Sequence, residues 1–311
     1  MVQTIIAIVG PTAVGKTKLG IEAAKRLNGE IISGDSMQIY KGMDIGTAKA
    51  TKEEMEGIPH HMLDIKDPDE EFSVADFQQY VRGYIDEITA RGKLPIIVGG
   101  SGLYIQSVLY DYQFTDQKRD PALTAHYENI IAEEGIDPLY SKLKKVDPEQ
   151  ANKIHPNNHR RVIRALEIYQ TTGQTMTDYL NRQQSSNLYN HLLIGLDMER
   201  ELLYQRINDR VDKMLEHGLV SEVQRLYKEG YKNSQSMKAI GYKEIIPFIE
   251  GKQSLEECAT VLKRNSRRYA KRQYTWFKNK LEVNWYKVDP ETINERFRII
   301  FDDLAGFLGD V

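Results

Sequence analysis

Residues Gly10, Pro11, Thr12, Ala13, Val14, Gly15, Lys16 and Thr17 form the spacing G-x-x-x-x-G-K-T, which suits the capture of phosphate oxygens. The glycines let backbone N–H groups converge on an anion, and a following helix adds partial positive charge at its N-terminus. Lys16 supplies a point charge for the terminal phosphates, and the Thr17 hydroxyl suits Mg²⁺. Such a loop grips a di- or triphosphate without specifying whether it is transferred, hydrolysed or expelled. Further along, Asp35 follows a second apolar run and is trailed by Ser36, Met37 and Gln38. An acid placed beside a phosphate loop can hold Mg²⁺ through water, act as a general base, or cap the next helix. The tetrad Gly99-Gly100-Ser101-Gly102 allows close backbone approach at the mouth of the same site; the plainer reading is a turn that needs positive φ, and the two are compatible. His60-His61 is read as structural, because adjacent side chains diverge on a helix and on a strand alike.

These groups need a frame. Short apolar runs at Ile5–Val9, Glu30–Ser33 and Leu94–Val98 end in glycine or acid, with Leu192–Leu196 as a further strand candidate. Helical patterns separate them, the first with Leu19, Ala23 and Leu27 on one face. Buried strands alternating with helices predict a P-loop NTPase-like α/β fold, a parallel sheet covered on both faces. Ligands of such sheets sit beyond the carboxyl ends of the strands, so Gly10–Thr17, Asp35–Gln38 and Gly99–Gly102 should line one site. From about 119 to 191 strand-like runs vanish and helical segments are broken at Asp137-Pro138, Asp147-Pro148 and His155-Pro156. The expected division is therefore a core of 1–118 and 192–311, with a helical insertion over 119–191. The core's last part is helical from Arg200 onward, with breaks at Gly218, Gly230 and Gly251.

The chain has 311 residues, 41% hydrophobic and 28% charged, enough for one large core or two domains. No apolar stretch approaches the roughly 18 residues of a membrane span. The first strand begins close to the N-terminus, so no signal or transit segment is expected and the cytoplasm is the expected compartment. The single cysteine, Cys258, excludes an internal disulfide framework and a multi-cysteine zinc site within these residues.

The net charge of −3 hides an asymmetry. Residues 263–280 hold eight of the 42 Lys and Arg and no acid, leaving 34 basic against 45 acidic residues elsewhere, a net of −11. A basic block on an acidic protein suggests a local polyanion site, against the plainer reading of a solvated helix face. Within it Arg264, Arg268 and Arg272 recur every four residues, as do Arg267 and Lys271, with Tyr269, Tyr274, Trp276 and Phe277 interleaved. Phosphate neutralisation and base stacking are the chemistry on offer, although Trp276 and Phe277 are expected to face the core. In the insertion, His159-Arg160-Arg161-Val162-Ile163-Arg164 reads as a helix. At about 100° per residue Arg160, Arg161 and Arg164 share one arc, while Val162, Leu166 and Tyr169 lie opposite. Guanidinium forks there suit nucleic-acid phosphates or, alternatively, intramolecular ion pairs. Arg206 and Arg210, one turn apart, could reach the phosphate site from the side opposite Lys16, or form a surface pair with acidic neighbours.

Taken together, GPTAVGKT (10–17), SGDSMQIYKGMDIGTAK (33–49), IPHHMLD (58–64), GGSGLYIQSVLYD (99–111), NHRRVIRALEIY (158–169), MKAIGYKE (237–244) and RRYAKRQYTWF (267–277) resemble the tRNA dimethylallyltransferase (tRNA isopentenyltransferase) family, in its bacterial type without a zinc finger. The resemblance extends along nearly the whole chain. It implies transfer of a dimethylallyl group from dimethylallyl diphosphate to N6 of adenosine 37, beside the anticodon, in tRNAs reading codons that begin with U. Lys16, Thr12 and loop amides would then hold the leaving diphosphate with Mg²⁺ at Thr17, and Asp35 would take the N6 proton. Arg210 is the more favoured additional diphosphate contact and Arg206 the less. Asp35–Gln38 and Ser101 would contact the adenine. His159, Arg160, Arg161, Val162, Ile163, Arg267, Arg268, Lys271 and Arg272 would hold the surrounding RNA, the insertion gripping the anticodon stem. The implied partners are tRNA and dimethylallyl diphosphate, with no membrane, and a monomer is expected. Three rivals use the same loop. A small-molecule or nucleoside kinase has no use for the two basic arrays, and neither does an enzyme prenylating free adenine nucleotides. A GTP switch would carry N-K-x-D, which is absent here.

Overall fold

The structure, a computed structural model, describes residues 2–110, 112, 114, 120–181 and 187–309. Asp111 and the expected domain boundary at 118/119 lie outside them. Six strands form the sheet: β1 (Thr4–Val9), β2 (Gly29–Ser33), β3 (His60–His61), β4 (Leu94–Gly99), β5 (Asn190–Asp197) and β6 (Asn284–Lys287). Their order is β3-β2-β4-β1-β5-β6, and every pairing is parallel. Ile5, Ile6, Ala7, Ile8 and Val9 are all fully buried, as befits a central parallel strand covered on both faces. Side chains alternate across the sheet. Ile6 and Ile8 join Ile31, Ile96, Ile194 and Leu196 in one core with Leu19 and Ala23 of the helix Lys16–Arg26 and Phe297, Ile300 and Leu304 of the last helix, Ile293–Gly309. The helix Val74–Ala90 starts at a capping box in which Ser73 accepts the Asp76 N–H and Asp76 accepts the Ser73 N–H.

The register places the strand ends level. Val9 lies opposite both Gly99 and Gly195, and Ser33 lies opposite Val98. Chain order reverses on either side of β1, since β2 is reached across β4 while β5 follows on the other flank. Such a switch point opens a crevice at the carboxyl ends of the strands. Two strands were not legible. β3 is only two residues long, and β6 is a half-exposed edge strand without an apolar run.

The chain divides into two compact units, Met1–Leu109 with Asn187–Val311, and Tyr110–Ser186. The second unit's limits fall earlier than 119 and 191, because the return to the sheet is already under way: the Leu188 N–H bonds the Leu109 carbonyl at 3.1 Å, and β5 begins at Asn190. That unit packs Tyr127, Leu139, Leu143, Ala151, Val162 and Leu166 into a core of its own. The prolines of Asp137-Pro138 and Asp147-Pro148 stand in the first turn of new helices, Asp137–Val146 and Pro148–Lys153, where a missing N–H costs nothing. Gly173 in the left-handed conformation ends the helix His159–Thr172.

Candidate active site at the strand ends

β1 delivers the phosphate loop and its glycines carry the turn. Gly10 has φ 141°, and a Cβ there would stand 2.7 Å from the Leu196 carbonyl oxygen. Gly15, at φ 111°, opens the helix Lys16–Arg26, and between the two Ala13 also takes a left-handed conformation at φ 66°. Val14 is turned into the core and anchors the loop. The Lys16 ammonium donates to the Pro11 carbonyl at 2.7 Å, which folds the side chain back over its own loop.

Asp35 stands across the crevice. Its Oδ1 accepts the Met37 N–H at 2.8 Å, so the carboxylate shapes its own turn and still lines the cavity. Burial raises its pKa, and Lys16 and Arg210 act against that rise. The same burial pushes Lys16 down to about 7, helped by the Arg210 charge and opposed by Asp35. Gln38 accepts from the Ser33 hydroxyl at 2.8 Å and donates to the carbonyls of Thr47 (3.2 Å) and Ala48 (3.3 Å). The loop bearing those carbonyls rests on one buried carboxylate. Glu222 accepts N–H bonds from Asp44 and Ile45 at 2.9 Å and from Gly46 at 3.0 Å, and the Tyr242 hydroxyl at 2.7 Å. Tyr242 in turn packs where a Gly46 Cβ would be, which gives DIGTAK and AIGYKE one joint structural purpose.

Two helices close the far side. On Arg200–Glu216, Arg206 donates to the Ala13 carbonyl at 3.0 Å and Arg210 to the Thr12 hydroxyl at 3.3 Å. Arg210 therefore faces the cavity, while Arg206 braces the loop backbone. On Leu255–Lys280, capped by Ser254 and Glu257, Gln273 accepts the Thr12 N–H at 2.9 Å and donates to the Gly100 carbonyl at 3.1 Å. The Thr12 amide is thereby committed to protein, which leaves its hydroxyl for a ligand. Tyr269, one turn earlier, is hydrogen-bonded with Ser101, and burial beside Asp35 raises its pKa. Thr12, Lys16, Thr17, Asp35, Gln38, Thr47, Gly100, Arg210, Tyr269 and Gln273 share one cavity of about 90 Å³. A larger open groove of about 520 Å³ runs beside Asp76, Tyr80, Tyr84 and Glu87; it holds no phosphate-loop residue, and its acidic wall would repel a diphosphate.

Thr47, Tyr269 and Gln273 were missed as site residues. For the last two the only signal is an i, i+4 spacing on the face turned away from Arg264, Arg268 and Arg272. The tetrad's alternative is resolved: Gly99, Gly100 and Gly102 do not have positive φ, and their glycines instead admit close neighbours. A Cβ on Gly100 would lie 2.0 Å from Gln273 Nε2, and one on Gly102 would lie 2.1 Å from Trp276 Cδ1. Ser36 joins the cluster through its N–H to the Ser101 hydroxyl at 3.4 Å.

Among the RNA candidates, His159, Arg160, Arg161, Arg268, Lys271 and Arg272 are exposed. Arg272 lies over the Tyr269 ring. Four candidates are engaged within the protein. Val162 and Ile163, 0% and 5% exposed, have side chains in the core of the helical unit, so they pack there instead of facing RNA. Arg267 spends a guanidinium N–H on Asn208 at 2.6 Å and lies over Tyr204, tying two helices together. Arg164 pairs with Glu167 at 3.4 Å, the intramolecular reading. Phe277 is buried, as expected. His60 and His61 are held by the Ile58 carbonyl and Glu30, and among the described residues no group of three or more His, Cys, Asp or Glu could hold a metal. The Thr17 hydroxyl and the Asp35 carboxylate are nevertheless hard oxygen donors in one cavity. They fit Mg²⁺, which keeps waters and takes much of its coordination from substrate phosphates.

Comparison with known proteins identifies the family. Residues 38–280 match the IPP transferase family. The tRNA dimethylallyltransferase of Oceanobacillus iheyensis is 62% identical over 99% of this chain and 98% of its own. That of Bacillus pumilus is 58% identical over 99% and 97%. The tRNA isopentenylpyrophosphate transferase of Bacillus halodurans superposes with a TM-score of 0.75 at 50% identity, covering 100% of this chain and 98% of that one. A eukaryotic dimethylallyltransferase captured acting on tRNA superposes at 0.83 with 34% identity, over 98% of this chain and 80% of that one. With the phosphate loop, the strand-end acid and matches that run nearly from end to end, the chain belongs to the IPP transferase family.

Proposed function

We propose that the protein transfers a dimethylallyl group from dimethylallyl diphosphate to N6 of adenosine 37 in tRNAs that read codons beginning with U. The observation that carries this reading is one cavity in which a phosphate loop faces a buried carboxylate, in a chain of this family. The N6 lone pair attacks C1 of the allylic group as the C1–O bond breaks. The bonding pair leaves with the diphosphate, and the N6 proton passes to Asp35. An exocyclic adenine amine is a weak nucleophile because its lone pair is delocalised, so a carboxylate that orients it and accepts its proton lowers the barrier. Burial of Asp35 strengthens it as a proton acceptor, and the Met37 N–H, Lys16 and Arg210 act against the rise in its pKa. Lys16, the Thr12 hydroxyl, Arg210 and the loop amides of Ala13 to Thr17 receive the growing charge on the diphosphate. Mg²⁺, held through Thr17, would add positive charge on the leaving oxygens.

The acceptor base must leave the anticodon-loop stack to reach a cavity at the strand ends. Ser36, Met37, Gln38 and Ser101 would receive it beside Asp35. Arg268, Lys271 and Arg272 would take phosphates of the loop, and His159, Arg160 and Arg161 of the helical unit would take the stem. Exposure of these basic residues supports that assignment. The test is to incubate the protein with tRNA and either dimethylallyl diphosphate labelled in the hydrocarbon or ATP labelled in the γ-phosphate. Hydrocarbon label on adenosine 37 is the expected result; label moving from ATP instead would establish a kinase.

A further inference from the structure

Gln273 sits on the basic helix, 5% exposed, with both ends of its amide engaged inside the cavity. Its oxygen takes the Thr12 N–H of the phosphate loop, and its NH₂ reaches the Gly100 carbonyl at the end of β4. A carboxamide offers an acceptor and a donor on one rigid plane, a combination that neither Glu nor Met reproduces. The opposite wall is shaped to it. Gly100 does not have positive φ, so its backbone does not demand glycine; what demands glycine is Gln273, which lies where a Cβ would be.

The contact is continued along the helix. Tyr269 meets Ser101 one turn before Gln273, and Trp276 meets Gly102 one turn after. Lys271 and Arg272 are exposed between them, and Arg268 just before. We infer that Gln273 is a positioning residue that sets the phosphate loop for diphosphate by clipping Thr12 to the end of β4. Fixing the Thr12 amide holds the loop in the turn that aims its remaining N–H groups at one point, an ordering cost met before the ligand arrives. The inference rests on the reading of Gly10–Thr17 as a diphosphate loop.

The test is a double-mutant cycle read by calorimetric binding of inorganic diphosphate with Mg²⁺. Gln273→Ala removes the clip, and Gly100→Ala expels it from the other side. Each should weaken diphosphate binding about tenfold while tRNA affinity stays within about twofold. Because truncation at position 273 removes the severe clash and leaves the added methyl only a 3.3 Å approach to the Gly10 carbonyl oxygen, the double variant should be no weaker than Gly100→Ala alone. Gln273→Met keeps the packing volume without the hydrogen bonds and should match Gln273→Ala, which separates lost positioning from a collapsed helix. Wild-type protein that binds diphosphate no better than Gln273→Met overturns the inference alone, as do single-variant losses that multiply in the double. Wild-type protein that binds no diphosphate overturns the loop reading and this inference with it.

Discussion

If Lys16 grips the diphosphate as proposed, donor binding should be a proton-linked event. Burial, and then the Arg210 charge, lower its pKa to about 7 in the free protein. A bound diphosphate brings negative charge beside the ammonium and must raise that pKa again. The sign follows: the charged form binds, so affinity is full below pH 7 and falls as pH rises through the free-state value. The penalty is the fraction of molecules that must first take up a proton, so affinity drops about twofold at pH 7, about tenfold at pH 8 and about a hundredfold at pH 9. Titration at pH 8 in two buffers of different ionisation enthalpy should show uptake of about 0.9 proton per diphosphate bound. Removing the Arg210 charge in Arg210→Gln should shift the weak-binding limb to higher pH even as overall affinity falls. Lys16→Met should abolish the uptake. Binding at pH 8 with no buffer-dependent heat would refute the reasoning, because it would mean that Lys16 is already charged in the empty loop.

Three further perturbations separate chemistry, RNA contact and scaffold. Asp35→Asn keeps an oxygen for the Met37 N–H but cannot accept a proton, so turnover should fall by about 10²–10⁴ with tRNA affinity unchanged; single-turnover rates and filter binding decide it, and lost tRNA binding would remove the base assignment. Arg161→Ala should reduce the slope of log affinity for tRNA against log salt by about one phosphate contact, and an unchanged slope would return Arg161 to a solvated helix face. Glu222→Gln puts an NH₂ against N–H or O–H donors that now share a carboxylate, leaving at least two without an acceptor. At about 1–3 kcal/mol each, the loss should be about 2–6 kcal/mol, read by urea unfolding, and a change under about 0.5 kcal/mol would show the loop to be held otherwise.

What could be read from the chain was set by local chemistry. The octet Gly10–Thr17 needs its glycines for the turn and its lysine for charge, so composition and spacing alone announce it. β1, β2, β4 and β5 were legible because strands buried on both faces must be continuously apolar, and the acid and glycines ending them follow from the same pattern. The arginine face of the helix His159–Thr172 was legible from its period, although the period did not show that Ile163 packs beside Val162.

Tertiary structure decided the rest, because the missing information lies between residues far apart in sequence. The helical period of Leu255–Lys280 displays its cations equally whether they meet RNA or protein; only the neighbouring helix, by offering Asn208 and Tyr204, takes Arg267 from the exposed set. Gln273 carries no signature of its own, being an uncharged side chain in a cationic block, and its meaning comes from Thr12 and Gly100 arriving at its two ends. Gly100 was legible as a place of close approach, but that the approaching group is Gln273 shows only once the helix that crosses it is in place. The sequence by itself determined that a phosphate-loop motif would stand beside an acid at the ends of parallel strands. Which side chains hold that loop in shape was decided by packing, since hydrogen bonds between distant segments exist only after the sheet has aligned their ends.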